Sequence, residues 1–241
     1  ASKCSIPTHC ETTVGLPGTL SYRLQANSTT DDPEAILLGV AEGLSYGSGD
    51  ICLGINPVEN TIESTDRIAN ALNDFRNMWE VPTQITVLSH LTTQMAAVNE
   101  GTPLSMLFQS IAGTQAACEN FGVNKAMIDE ANDLAKEKCL GTGMNHMYFE
   151  TGQGSEVSIG ADCGVDEMTL EARTYGYAKP FYPFIVNNVT GFIGPETIYN
   201  GRELIRANLE DHFMAKILGL PMGMDPTYTN HADIDQDEQE I

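Results

Sequence analysis

Asp50-Ile-Cys-Leu-Gly-Ile-Asn56 is an unbroken apolar run that opens on a carboxylate, stops on an amide and is followed directly by Pro57. A run of this length bounded by polar residues reads as a buried strand. Downstream, residues 63–79 repeat with the spacing of an amphipathic helix, and 84–89 form the next strand. Upstream, 19–25 alternates apolar and polar as a strand does. Asp32-Pro33 then caps a helix to about Tyr46, with proline where its missing N–H does no harm.

The alternation continues through the chain. A short helix is expected near 92–99, a strand at 104–109, two helices broken near Gly122 over 114–139, and a strand at 146–150. A helix over 166–179 is stopped by Pro180, and it is followed by a strand at 184–189, a long helix at 202–218 and a strand at 221–225. A β, α, β, α order calls for a parallel sheet. The strands end in side chains of the kind that do chemistry: Arg23 and Gln25, Asn56, Gln109, Glu150, Asn187 and Asp225. The economical architecture for many such strand ends is an α/β (β/α)8 TIM-type barrel with its site at the carboxyl rim. Residues 1–241 are accordingly expected to be a single barrel domain. It is incomplete, with about seven βα units, because closure needs an eighth strand and that strand is expected beyond the C-terminus. Ala1 stands where Met would open a chain, and the sequence stops in the acidic stretch 233–241, so the chain reads as an internal fragment of a longer protein.

Composition narrows the function. Hydrophobic residues make up 41% of the chain, enough for a large core, and no run approaches the roughly 20 apolar residues of a membrane span. No signal peptide opens the sequence, so the expected compartment is the cytosol. With 33 acidic against 12 basic residues, the net charge of -21 argues against binding a phosphate backbone and favours a small cationic substrate. Most of those carboxylates are expected on solvated helix faces. The six cysteines show no C-x-x-C pair and read as free thiols. The sequons at Asn27 and Asn188 are discounted, the latter because it falls in a strand expected to be buried.

Among the strand-end residues, Glu150 precedes Thr151-Gly152-Gln153-Gly154-Ser155, whose glycines let backbone approach a ligand. A carboxylate there binds an ammonium or acts as a base, or else serves only as a helix cap. Asp225 ends Met222-Gly223-Met224-Asp225 and has the same two readings. Arg23 is one of few basic residues, placed to hold a substrate oxygen or to form a buried ion pair. Gln25, Asn56 and Gln109 offer both donors and acceptors that orient a small substrate without changing charge. His90, His146, His212 and His231 lack metal-ligand spacing, and Asp233, Asp235 and Asp237 lack the glycine and glutamate of a calcium loop, so no protein-held metal is expected.

Taken together, LSYRLQ (20–25), GDICLGINPV (49–58), LFQSIAGT (107–114), MYFETGQGS (147–155), VNNVTGFIGPE (186–196), IRANLEDHFMAKILGLPMGMD (205–225) and YTNHADIDQD (228–237) closely resemble the large subunit of ethanolamine ammonia-lyase. The resemblance covers nearly the whole chain in order. It implies a (β/α) barrel that uses adenosylcobalamin (coenzyme B12) to convert ethanolamine to acetaldehyde and ammonia by radical chemistry, the cofactor carrying the hard step. It further implies a small-subunit partner, a homo-oligomer of large subunits, and a setting in the cytoplasm, inside a bacterial microcompartment.

Carried over by position, Glu150 and Asp225 resemble the family's carboxylates around the substrate ammonium, with Gln25 helping. Arg23 and Asn56 resemble the groups holding its hydroxyl oxygen, and Phe192 an apolar wall of the substrate pocket. Pro57, Gln109 and Ser158 resemble contacts to the corrin side of the cofactor. One departure is local: Ala26 follows Gln25 where proline is expected. Two rivals stand beside this reading. One is a barrel lyase or mutase for another small amino alcohol or amino acid; the other is an inert scaffold homologue that keeps the fold.

Overall fold

The computed structural model describes residues 5–152, 159–190 and 200–225. Within them run β1 (Thr8–His9), β2 (Thr13–Val14), β3 (Arg23–Leu24), α1 (Pro33–Ser45), β4 (Cys52–Ile55), α2 (Ile62–Trp79), β5 (Ile85–Val87) and α3 (Leu91–Glu100). They are followed by β6 (Leu107–Ser110), α4 (Gln115–Asn120), α5 (Lys125–Lys138), β7 (Met147–Thr151), α6 (Glu167–Ala178), β8 (Ile185–Val189), α7 (Gly201–Ile217) and β9 (Met222–Asp225). Each strand and helix expected from periodicity is present, so the mixed α/β architecture with parallel strands stands. The hairpin β1–β2 was not expected, because two-residue strands are too short for alternation to register.

Contacts divide the chain into two compact units. One comprises Pro7–Gln109 and Ile128–Tyr148; the other comprises Ala1–Ile6, Ser110–Met127 and Phe149–Ile241 as far as they are described. In the first unit β3, β4 and β5 pair in parallel, with Arg23 opposite Cys52 and Leu53 opposite Ile85. Every residue of β4 is buried, as a strand covered on both faces must be. Ser105 N–H donates to Ile85 O at 2.9 Å, and Leu107 N–H to His146 O at 3.0 Å, which ties the starts of β6 and β7 into the same unit. Ile68 and Leu72 of α2 are fully buried with Leu53, Ile55 and Ile85 of the sheet. Each such side chain removed from water contributes about 2 kcal/mol.

Strand β3 starts later than the alternation over 19–25 suggests. Gly18 takes a positive φ of 77° and Thr19 N–H donates to Leu16 O, so a turn occupies the expected strand start. The N-terminal hairpin is anchored by polar groups. Gln84 Oε1 accepts from Glu11 N–H at 3.0 Å and Thr12 N–H at 2.5 Å, while Arg76 donates to Glu11 at 2.5 Å and to Thr83 O at 3.0 Å.

The loop leaving β4 is shaped by Asp31, buried with its backbone in the left-handed region at φ 51°. Its carboxylate accepts from Val58 N–H (2.7 Å), Glu59 N–H (2.9 Å) and Ser64 Oγ (2.8 Å). Burial pushes the Asp31 carboxyl up, but these hydrogen bonds and the Arg67 charge outweigh it and hold the group below its ordinary range. A depressed folded value means stability that is present above the unfolded value and lost as pH falls through the folded one. Asn tolerates the same backbone, so Asp31→Asn isolates the carboxylate. It is expected to cost about 2 kcal/mol at neutral pH, a difference that shrinks below about pH 4. Urea unfolding of wild type and variant across that range measures it; a difference independent of pH would refute the assignment.

In the second unit Ile111 N–H donates to Glu150 O at 2.9 Å at the ends of β6 and β7, and the sheet order is β6-β7-β8-β9. β8 and β9 are parallel, with Asn187 opposite Gly223 and Val189 opposite Asp225. Helix starts follow side-chain capping: Thr114 Oγ1 accepts from Ala117 N–H, Asp166 Oδ1 from Thr169 N–H, and Asn200 Oδ1 from Glu203 N–H. Phe149 of β7 and Tyr177 of α6 meet the Phe181 ring edge-on, at 5.6 and 5.9 Å between centroids.

Candidate active site

In the first unit the candidates stand at the carboxyl ends of β3 and β4. Arg23 lies with its guanidinium carbon 5.6 Å from the centroid of the Tyr148 ring, and Nη1 donates to the Tyr148 hydroxyl. Tyr148 itself is fully buried and packs edge-on against Phe108 at 5.1 Å. A guanidinium held by a ring face and a hydroxyl keeps one direction, and its low hydration makes it suited to a half-buried position. Gln25 follows at the end of β3, and Ala26 Cβ lies against Gly39 of α1, where a β-carbon would stand 3.0 Å away.

Asn56 is exposed just beyond β4. Its N–H donates to Asn27 Oδ1 at 2.9 Å, so the loop after β3 holds the end of β4 in place. Pro57 begins the segment whose next two N–H groups are taken by Asp31. Gln109, at the end of β6, is buried, and its Oε1 accepts from Leu91 N–H at 3.3 Å, the first residue of α3.

In the second unit Glu150 is half-buried near the end of β7, and Asn187 of β8 donates from Nδ2 to Glu150 Oε1 at 3.4 Å. Opposite Asn187 stands Gly223, where a β-carbon would fall 2.7 Å from the Asn187 carboxamide oxygen; the glycine leaves that side chain its place. Gly152 is required for a different reason. A β-carbon there would lie 2.1 Å from Val189 O, so β7 and β8 approach at their carboxyl ends more closely than any side chain permits. Asp225 closes β9, half-buried and in register with Val189. A narrow cleft touches this group, lined by Ser110, Gly113, Phe121, Glu150, Gly152 and Val189 among others. Phe192 and Ser158 lie outside the described residues.

Two sets of residues escaped the sequence reading. Tyr148 sits in Met147-Tyr-Phe-Glu-Thr151, and its only signal was a polar-tipped aromatic two residues before Glu150. Behind β7 and β8, Glu171, Tyr175, Asn188, Asp211, Thr190 and Asn208 form a buried polar cluster. Its signal was available, since Glu171 and Asp211 fall on the buried stripes of α6 and α7, where apolar residues belong.

The histidines have local roles. His90 caps α3, His146 Nε2 pairs with Gly143 O at 2.9 Å, and His212 Nδ1 meets Met224 Sδ; His231 lies outside the described residues. Among the described residues, no group of three or more His, Cys, Asp or Glu is arranged to hold a metal ion, and no helix is long and apolar enough to cross a membrane. Cys10, Cys52, Cys118, Cys139 and Cys163 are free thiols, and burial pushes Cys139 up to about 12. Asn188 of the second sequon is fully buried.

Parallel βα units that carry polar side chains at their carboxyl strand ends define an α/β protein of the kind that builds active sites there. The chain belongs to the ethanolamine ammonia lyase large subunit (EutB) family, whose model matches residues 1–241. It is 48% identical over 240 residues to the ethanolamine ammonia-lyase large subunit of Escherichia coli, covering 100% of this chain and 53% of the relative. It is also 49% identical over 229 residues to that of Salmonella typhimurium, covering 95% and 51%. The chain thus spans about half the length of the curated relatives it matches. Among solved structures, the crystal structure of Plasmodium falciparum HPPK-DHPS aligns with a TM-score of 0.50 at 12% identity, covering 92% of this chain and 46% of that one, a likeness of fold alone.

Proposed function

We propose that the protein to which this chain belongs is an adenosylcobalamin-dependent lyase that converts ethanolamine to acetaldehyde and ammonia, with residues 1–241 supplying about seven βα units of the (β/α)8 barrel domain of its large subunit. The observation that carries this reading is a family match running through the entire chain, and polar side chains at the strand ends support it. Support for the barrel comes from strand order. β3-β4-β5 and β6-β7-β8-β9 each follow the chain without reversal, as strands wound in one direction do, whereas a doubly wound sheet reverses at a switch point.

Ethanolamine offers an ammonium at one end and a hydroxyl at the other. Glu150 and Asp225, with Gln25, are assigned to the ammonium; Asn187 fixes the Glu150 carboxylate that faces it. Arg23 and Asn56 are assigned to the hydroxyl oxygen. A guanidinium already held by Tyr148 needs no reorganisation as negative charge grows on that oxygen, and this is how fixed donors stabilise a polar transition state. Phe192 is assigned to the apolar wall that excludes water.

The residues assigned to adenosylcobalamin are Pro57, Gln109 and Ser158. The Pro57 segment fits such a group. Its backbone donors are already used by Asp31, and Val58 beside it is 62% exposed, so the loop offers an apolar edge to a flat macrocycle without desolvating a charge. When bound, the cofactor supplies the radical chemistry at the hydroxyl-bearing carbon. This chain's residues hold the substrate, orient it and shield it. The reading includes a small-subunit partner, association of large subunits, and a cytoplasmic setting within a protein-shelled compartment, all of which rest on the family resemblance.

The test is acetaldehyde release from ethanolamine by the full-length chain co-expressed with the small subunit, with and without adenosylcobalamin. Cofactor-dependent turnover is expected. A folded, cofactor-bound assembly that releases no acetaldehyde would remove ethanolamine as the substrate and direct attention to a panel of other small amino alcohols.

A further inference from the structure

The buried cluster behind β7 and β8 is expensive and needs a reason. Glu171 and Asp211 are 3% and 0% exposed, and one carboxamide, Asn188 Nδ2, donates toward Asp211 Oδ2 (2.6 Å), Glu171 Oε1 (3.3 Å) and the Tyr175 hydroxyl (3.3 Å). Thr151 Oγ1 donates to Glu171 Oε1, and Thr190 Oγ1 to Asn188 Oδ1 and to Asn208 Oδ1 (3.1 Å). Two acids sharing one amide in an apolar surround cost more than well-packed hydrophobic residues of the same volume. What distinguishes the cluster is where it grips the sheet. It takes hold of Thr151 and Asn188, and these immediately follow Glu150 and Asn187.

Successive strand residues point to opposite faces, so a strand residue held from behind sets the direction of its neighbour in front. Glu150 and Asn187 meet at 3.4 Å on one face; Thr151 and Asn188 are joined through Glu171 on the other. We propose that Glu171 is a positioning residue: by bridging Thr151 and Asn188 from the helix side, it sets the aim of Glu150 and Asn187 toward the substrate ammonium. The proposal rests on the reading of Glu150 as a substrate carboxylate.

Facing Glu171 are Thr151 of β7, Asn188 of β8, Asp211 of α7, and Tyr175 and Glu167 of its own helix. Burial drives the Glu171 carboxyl above its ordinary range against the pull of the Thr151, Tyr175 and Asn188 hydrogen bonds, with Glu167 adding to the rise. Tyr175 is pushed up by burial and then by the charges of Glu171 and Asp211, so it stays a hydroxyl. Glu171 Oε1 is the acceptor that bridges Thr151 and Asn188, and a glutamine reproduces its shape and keeps an acceptor oxygen for both.

The test compares wild type, Glu171→Leu, Glu171→Gln and Thr151→Val in the full-length chain assembled with the small subunit. Ethanolamine binding is measured by calorimetry without cofactor, kcat and KM with it, and the melting temperature for each. Glu171→Leu and Thr151→Val are expected to lower kcat about tenfold or more and to weaken ethanolamine binding about fivefold, well below their melting temperatures. Glu171→Gln is expected to stay within about threefold of wild type. Thr151→Val keeps the proposal testable if the leucine variant does not fold. Binding and kcat of Glu171→Leu or Thr151→Val within about twofold of wild type in a folded protein would overturn it. So would Glu171→Gln falling as far as Glu171→Leu. Failure of the wild type itself to bind or turn over ethanolamine overturns the functional reading, and is seen in the wild-type arm alone.

Discussion

Glu150→Gln in the assembled full-length enzyme is expected to lower kcat/KM for ethanolamine by about 100- to 1,000-fold while leaving the protein folded. The substitution keeps side-chain shape and keeps an oxygen acceptor for Asn187 Nδ2, so the packing between β7 and β8 persists. It removes the negative charge that the proposed ammonium faces. In a partly desolvated site a charge-assisted hydrogen bond is about twice as strong as a neutral one, and its loss leaves Asp225 as the one carboxylate assigned to the cation. Most of the effect should appear in kcat if the carboxylate acts on the migrating or departing amine, and in KM if it only binds the substrate. A folded Glu150→Gln protein with kcat/KM within about tenfold of wild type would exclude Glu150 from the chemistry.

Arg23→Lys is the second large effect, with an expected loss of about 100-fold in kcat. Lysine preserves the charge but not the planar fork. The Tyr148 hydroxyl and ring hold the guanidinium on one bearing, and an ammonium on a flexible stem cannot satisfy both that hydroxyl and the substrate oxygen. Tyr148→Phe separates the two contributions. It removes the hydroxyl and retains the ring face, so a smaller loss, about tenfold, is expected, with KM little changed. Equal losses in Arg23→Lys and Tyr148→Phe would mean that orientation alone, and not the fork, sets the rate. No loss in Arg23→Lys would remove Arg23 from the hydroxyl end.

Much of the fold was readable from the chain itself. The run Asp50–Asn56 and its six counterparts appear as β3 to β9, and the helices between them start where Asp32, Asp166 and their like cap free N–H groups. Periodicity carries this information because burial of one stripe or one run is the dominant local demand on the sequence. The hairpin β1–β2 was not readable, since its strands are held by Gln84 and Arg76 from distant parts of the chain and not by their own pattern. The late start of β3 was hidden for a similar reason: a turn at Gly18 competes with an alternation that looks like strand.

The candidate site divides in the same way. Arg23, Gln25, Asn56, Glu150 and Asn187 were named because polar residues ending apolar runs are conspicuous. Their partners sit inside elements: Tyr148 looks like a packing residue, and Glu171 shows only as an acid on the buried stripe of α6. By itself the sequence determined which segments become strands and helices, which residues end the strands, and, through its resemblance, the family. Only the tertiary structure decided that Tyr148 holds Arg23, that Asp31 shapes the loop carrying Pro57, and that Glu171 and Asn188 tie β7 to β8 from behind. The reason is physical. Apolar burial repeats along the chain with a period that a reader can count, whereas a buried polar group is satisfied by whichever donor or acceptor the fold brings within about 3 Å, and that partner has no fixed place in the sequence.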